Sequence, residues 1–251
     1  MIFYLEKDMT SNILKLIACV SMLIDHAGYL LFPEQEWMRW VGRLAMPIFA
    51  FFIAEGCIHT SNRLRYLMRL FVLGIICQSV YVAEEILSGG VRSVYLNILF
   101  TLSFAAVICF TFIDFKKALE NADKKAIFLS GALFVLSFVS VLAFDIFCTH
   151  SEKLVGISVT FDYGFVGAVL PLFAVIFTTR RLQWIAYSIG LIFFVQSNLS
   201  ELWYVCFALL DIPILAFYNG ERGKYNTKYL FYLFYPLHLA ALYGIDILMN
   251  N

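Results

Sequence analysis

The chain has 251 residues, 62% of them hydrophobic and 14% charged, with 18 basic residues balanced by 18 acidic ones. Soluble domains are roughly 45–50% apolar and about 25% charged, so a water-soluble fold of this length is excluded and lipid must solvate much of the surface. There is no basic domain, and the aromatic residues sit in apolar runs, which excludes a nucleic-acid partner.

A bilayer core about 30 Å thick needs roughly 17–25 apolar residues in a helix. Reading apolar runs against polar breaks predicts an all-α, polytopic transmembrane bundle with spans near 13–32, 41–59, 66–86, 95–113, 126–148, 165–179, 182–198, 200–217 and 229–248. Nine is the working count, within a range of eight to ten, because the sixth to eighth spans are short and tightly connected and one of them can be re-entrant. The polar, mixed-charge opening MIFYLEKDMTSN argues against a cleavable signal peptide. With no linker and no internal repeat, residues 1–251 read as a single membrane domain.

In the first span, LKLIACVSMLIDHAGY, Lys15 and His26 are eleven residues apart. Eleven steps of 100° come within about 20° of three full turns, so the two share a face about 16 Å apart along the axis. Ionisable groups at this depth are costly and face a bundle interior or a wet cavity. Asp25 beside His26 doubles that cost, which argues for a site over simple packing. Consecutive helical residues do not face each other, so Asp25 is expected to pair with another helix, Arg43 being the obvious cation. The second span, VGRLAMPIFAFFIAEG, has Arg43 at its outer end and Pro47 placed to kink it. Glu55 lies about three turns deeper, where a structural pair with His59 at i+4 competes with a functional role.

Arg63, Arg65 and Arg69 open the third span, and Asn97 opens the fourth with Thr101 one turn on. Asp162 precedes the sixth, where it fits a helix N-cap as well as a site. His238 lies near the middle of the ninth, two residues after Pro236, where a hydrogen bond to a neighbouring helix fits as well as a functional role. Asp25, His26, Arg43, Asn97 and Asp162 are expected to converge at one depth on the outer side.

Basic residues support an N-terminus inside. The segments then assigned to the cytoplasm hold Lys7, Arg63, Arg65, Arg69, Lys116, Lys117, Lys124, Lys125, Arg180, Arg181, Arg222, Lys224 and Lys228, whereas the outer loops hold Arg39, Arg92 and Lys153, with Arg43 at the border. That asymmetry follows the positive-inside rule. The six cysteines form no C-x-x-C pair, so they read as small packing residues and no metal site is expected.

The blocks LKLIACVSMLIDHAGYLLFP, VGRLAMPIFAFFIAEGCIHTSNRLRYLMRL, LNILFTL, FDYG and YNGERGKYNTKYLFYLFYPLHL resemble the TraX family of membrane proteins, in order and across most of the chain. The Lys15-to-His26 spacing also resembles the basic-x10-His signature of membrane acyltransferase family 3. The first family's named member acetylates the N-terminus of pilin. The resemblance therefore implies an integral membrane acyltransferase, in a bacterial cytoplasmic membrane, that moves an acetyl group from cytoplasmic acetyl-CoA to an acceptor amine or hydroxyl, on a peptide or a glycan, near the outer side.

In that chemistry His26 acts as general base or as an acetyl-carrying nucleophile. Arg43 and Asn97 polarise the carbonyl oxygen, Asp25 and Asp162 hold partners or bind the acceptor, and Glu55 completes the polar set. Lys15, Arg63, Arg65 and Arg69 offer cations to the donor's phosphates, with His238 placed among the donor-binding residues. The competing reading is a small proton-coupled secondary transporter, since intramembrane Asp, Glu and His also build proton relays. The lack of an inverted repeat counts against it. A non-catalytic assembly factor is a third reading, disfavoured by the Asp-His cluster.

Overall fold

The computed structural model describes residues 9–87, 93–196, 201–225 and 227–250. Lys7 and Arg92, both used in the charge argument, lie outside the described residues, as does most of the polar opening. The described chain is helical apart from one short strand pair: α1 Ser11–Leu30, α2 Glu36–Gly42, α3 Ala45–His59, α4 Arg63–Leu87, β1 Ser93–Leu96, α5 Ile98–Glu120, α6 Lys124–Val155, β2 Ser158–Phe161, α7 Gly164–Val175, α8 Arg180–Val195, α9 Leu202–Leu209, α10 Asp211–Ala216 and α11 Lys228–Asn250.

Among the described residues, six stretches are long and apolar enough to cross a bilayer: Ser11–Leu30, Glu36–His59, Arg63–Leu87, Ile98–Glu120, Lys124–Val155 and Tyr229–Met249. The chain is an all-α integral membrane protein. The three remaining expected spans correspond to shorter pieces. α7 has 12 residues and α8 has 16, against the roughly 20 that a bilayer needs. The stretch expected at 200–217 is broken at Leu210 into α9 and α10. Pro47 does not kink a running helix. It sits in the first turn of α3, where its missing N–H would have no intrahelical partner in any case.

The chain divides into two compact units, Met1–Phe52 with Arg180–Asn251, and Ile53–Thr179, the boundary falling inside α3. In the second unit α5 is the central helix, packed against α4, α6 and α7. Its core is Ile108, Val141, Cys148, Phe161, Ala168 and Leu172, ringed by Phe104, Phe134, Phe138 and Phe144. α6, 32 residues long, presents most of its apolar side chains outward, as a lipid-facing helix should. β1 and β2 pair in parallel from Ser93–Ser158 to Leu96–Phe161. Helices close both outer edges of this ribbon. Gln78 Nε2 donates to the Tyr95 carbonyl (2.7 Å), and the Val159 N–H donates to Ser151 Oγ (2.8 Å). A two-stranded ribbon with open edges would invite pairing with other chains, and these side chains prevent it.

In the first unit α1 packs against α2 and α11, α2 against α9, and α8 against α9 and α10. Trp40 of α2 stacks on Trp203 of α9, centroids 5.3 Å apart. Tyr187 of α8, 1% exposed, donates its hydroxyl to the Pro47 carbonyl.

Candidate functional site

α1 brings two ionisable residues to its last two turns and turns them to different neighbours. Asp25 faces α2. Its Oδ2 lies 2.8 Å from Arg39 Nη1 and its Oδ1 lies 2.8 Å from Arg43 Nη2. Arg39 and Arg43 are four apart, so one helical face delivers both guanidinium groups. Arg43 also donates from Nε to the Arg39 carbonyl (2.9 Å) and places its Cζ 5.0 Å from the centre of the Tyr204 ring of α9. The approach of α2 depends on Gly42, where an added Cβ would stand 2.1 Å from Asp25 Oδ1. The pair Asp25–Arg43 is nearly closed to solvent, with side chains 12% and 13% exposed. In this setting one acid holding two cations leaves a net positive charge beside His26.

His26 faces α11. Its Nδ1 is 2.7 Å from His238 Nε2, with the rings 8° from parallel. His238 Nδ1 lies 2.8 Å from the Phe234 carbonyl, one turn back on α11. A carbonyl only accepts, so His238 carries its proton on Nδ1 and its Nε2 is an acceptor. His26 Nδ1–H must then donate to it. The second nitrogen of His26, Nε2, is left with its lone pair and makes no hydrogen bond to any described residue. With both rings neutral, the hydrogen-bond network sets both tautomers and presents His26 Nε2 as a base. The adjacent aromatic rings shape the place. Tyr235 lies 6.3 Å from the His26 ring, and Phe234 stacks on His238 at 4.7 Å.

Lys15 is eleven residues back on α1, its Nζ 4.7 Å above the Phe52 ring.

Other expected site residues belong to the second unit. Asn97 is fully buried and its side chain is occupied. Oδ1 accepts from the Leu99 N–H (3.1 Å), and Nδ2 donates to the Gly74 carbonyl and to Gln78 Oε1, both at 3.0 Å. It caps α5 and ties α4 to it. The Asp162 carbonyl accepts from Thr101 Oγ1. Glu55 stands 3.9 Å from His59 Nε2. Arg63 pairs with Asp114 at 2.6 Å, Arg65 is exposed, and Arg69 lies over the Tyr66 ring at 6.0 Å. The structure gathers Asp25, His26, Arg43 and His238 into one cluster. It uses Asn97 as a helix cap.

Reasoning on the sequence did not single out Arg39, the His26–His238 contact or Asp211. For Arg39 the signal was its i, i+4 relation to Arg43. For His238 it was the shortage of histidines, four in the chain with two of them at membrane depth. Asp211 begins α10, is 0% exposed, and neither carboxyl oxygen has a hydrogen-bond partner among the described residues.

No solved structure matches the chain. A protein of Rickettsia prowazekii (strain Madrid E), itself uncharacterized, is 36% identical over 78 residues, covering 31% of this chain and 29% of its own. A protein of Dichelobacter nodosus named probable fimbrial assembly protein FimC, serogroup H1, is 30% identical over 258 residues, covering 94% of this chain and 95% of its own. The family described as TraX protein matches residues 10–246. That match spans every helix from α1 to α10 and most of α11, and the chain belongs to the TraX protein family.

Proposed function

We propose that this chain is a membrane acyltransferase of the bacterial cytoplasmic membrane, taking an acetyl group from cytoplasmic acetyl-CoA and passing it to an amine or hydroxyl near the outer side. One observation carries the reading. The relay Phe234 carbonyl–His238–His26 leaves an unprotonated Nε2 at membrane depth. Such a nitrogen can take the proton of an attacking amine or hydroxyl as its bond to the thioester carbonyl carbon forms. The carbonyl oxygen becomes an oxyanion, for which Arg39 and Arg43 are the nearby cations. Its collapse expels the CoA thiolate, which takes up a proton. His238 positions His26 and does not touch the reacting atoms. The resemblance to membrane acyltransferase family 3, carried by Lys15 and His26, supports the same reading. The fimbrial name of the Dichelobacter relative favours a peptide amine as acceptor.

The topology that serves this chemistry has nine traverses and a cytoplasmic N-terminus. Its support is the charge asymmetry of the loops.

Asp211 favours a second reading, proton-coupled transport, because a fully buried carboxyl without a partner is a fit proton carrier. The two separate in one experiment. Membranes carrying wild type or His26→Ala receive acetyl-labelled acetyl-CoA, and label on membrane-associated acceptors is counted. Transfer should occur with wild type and fall by a factor of about 10² or more in the variant, at equal protein abundance. Equal labelling in both would remove the enzyme reading.

A further inference from the structure

The acyltransferase reading leaves open where the donor's phosphates bind, and the first unit contains a cradle for them. The segment YNGERGKY, residues 218–225, follows α10 and carries Arg222 and Lys224 among two left-handed glycines, Gly220 at φ 85° and Gly223 at φ 93°. It is fixed to the first turn of α1. The N–H groups of Ser11 and Asn12 donate to the carbonyls of Glu221 (2.8 Å) and Arg222 (3.3 Å), and Asn12 Nδ2 donates to the Tyr225 carbonyl (2.7 Å). No side chain caps α1, so this loop does it. The loop's position is therefore set by the same backbone that carries Lys15 and His26.

Two further cations join it through aromatic rings. Arg180 opens α8 with its Cζ 4.9 Å from the Tyr218 ring centre. A Cβ at residue 220 would stand 3.3 Å from Arg180 Nη2, so glycine there gives the guanidinium its room as well as allowing the left-handed turn. Tyr218 meets Phe52 edge to face at 5.4 Å, and Phe52 in turn carries Lys15 Nζ at 4.7 Å. Lys15 and Arg180 thus rest on the two rings of one aromatic pair. Arg181, Arg222 and Lys224 are exposed, and Glu221 is the loop's one acidic residue. Among the described residues nothing accepts from the N–H of Gly223 or of Lys224.

We propose that the loop 218–225 together with Arg180 and Lys15 binds the phosphates of the CoA thioester, a role not expected of this loop from sequence. Backbone N–H groups of a glycine loop and flanking cations are a general anion-binding arrangement. The geometry also suits the long, thin pantetheine arm. Lys15 precedes His26 by eleven residues on the same face of α1, about 16 Å along the axis, so phosphates held at the loop leave the thioester to reach His26 Nε2. The proposal depends on the donor being a CoA thioester. It does not use Arg63, whose guanidinium is paired with Asp114.

The test is equilibrium binding of CoA and of S-acetylpantetheine, which lacks the nucleotide phosphates, to the full chain purified in detergent. Arg222→Glu with Lys224→Glu should weaken CoA about tenfold to a hundredfold and leave acetylpantetheine unchanged. Lys125→Glu, at an exposed cation of the second unit, should change neither. Arg180→Gln should act like the loop variant. If it fails to fold, the two exposed loop substitutions still decide. Wild-type affinity for CoA in the loop variant, or a loss confined to Arg65→Glu, would overturn the cradle and leave the enzyme reading standing. No CoA binding by the wild type would overturn both.

Discussion

At the scale of single residues, the decisive feature is a carbonyl. The Phe234 oxygen can only accept, and that one constraint propagates through His238 to His26. His238 is then a positioning residue whose work is to hold a tautomer. Replacing it by Phe should lower kcat by roughly 10²-fold or more, as loss of an orienting partner does elsewhere, while CoA affinity stays at the wild-type value. A loss of donor affinity with kcat unchanged would instead put His238 in the donor site. Asp211 is the opposite case, a buried carboxyl with no partner to lose. Asp211→Asn should keep acyl transfer and melt within about 2 °C of wild type or higher. A marked fall in melting temperature would reveal a hidden partner, and loss of solute uptake with transfer intact would favour transport. The sequence pointed to Asp25 and His26 because both are costly at membrane depth. It could not show that His238 meets His26, since helical phase orders residues on one helix but does not say which helix lies opposite.

Elements make the site possible by approaching closely. α2 reaches Asp25 only because residue 42 has no side chain. Gly42→Ala should push α2 off α1 and break the Asp25–Arg43 contact, a pair whose rupture at a nearly closed position costs on the order of 3 kcal/mol. Thermal unfolding in detergent should show a clear drop, and Asp25→Ala should match it, since both disable the same contact. Gly42→Ala with unchanged melting would refute that account of the α1–α2 packing. Five of the long spans were legible from apolar run length alone, and the second emerged as α2 and α3 in continuation. The region from 164 to 217 was not, for a physical reason. There the apolar runs are interrupted by Pro171, by the SNLSE break and by the DIP triplet, so run length no longer fixes helix length. Asn97 shows the same limit at residue level. The apolar run after it does not say that its side chain caps α5 and bonds Gly74 and Gln78 of α4.

For the whole molecule, the composition already required a bilayer, and the six helices of span length agree with it. Within the first unit, one helix ties the chemistry together. α1 carries the loop-capped Ser11 and Asn12 at its start, Lys15 one turn on, and Asp25 and His26 in its last turns. A donor lying along that helix would have its phosphates at one end and its thioester at the other. The most direct measurement is therefore a structure of the chain with bound CoA thioester. A base bonds the acceptor at about 2.6–3.2 Å and a nucleophile approaches its carbon at about 3–3.5 Å. The thioester carbonyl carbon should accordingly lie no farther than about 6–7 Å from His26 Nε2. A thioester bound away from α1, with His26 Nε2 facing only lipid or packed side chains, would contradict the account.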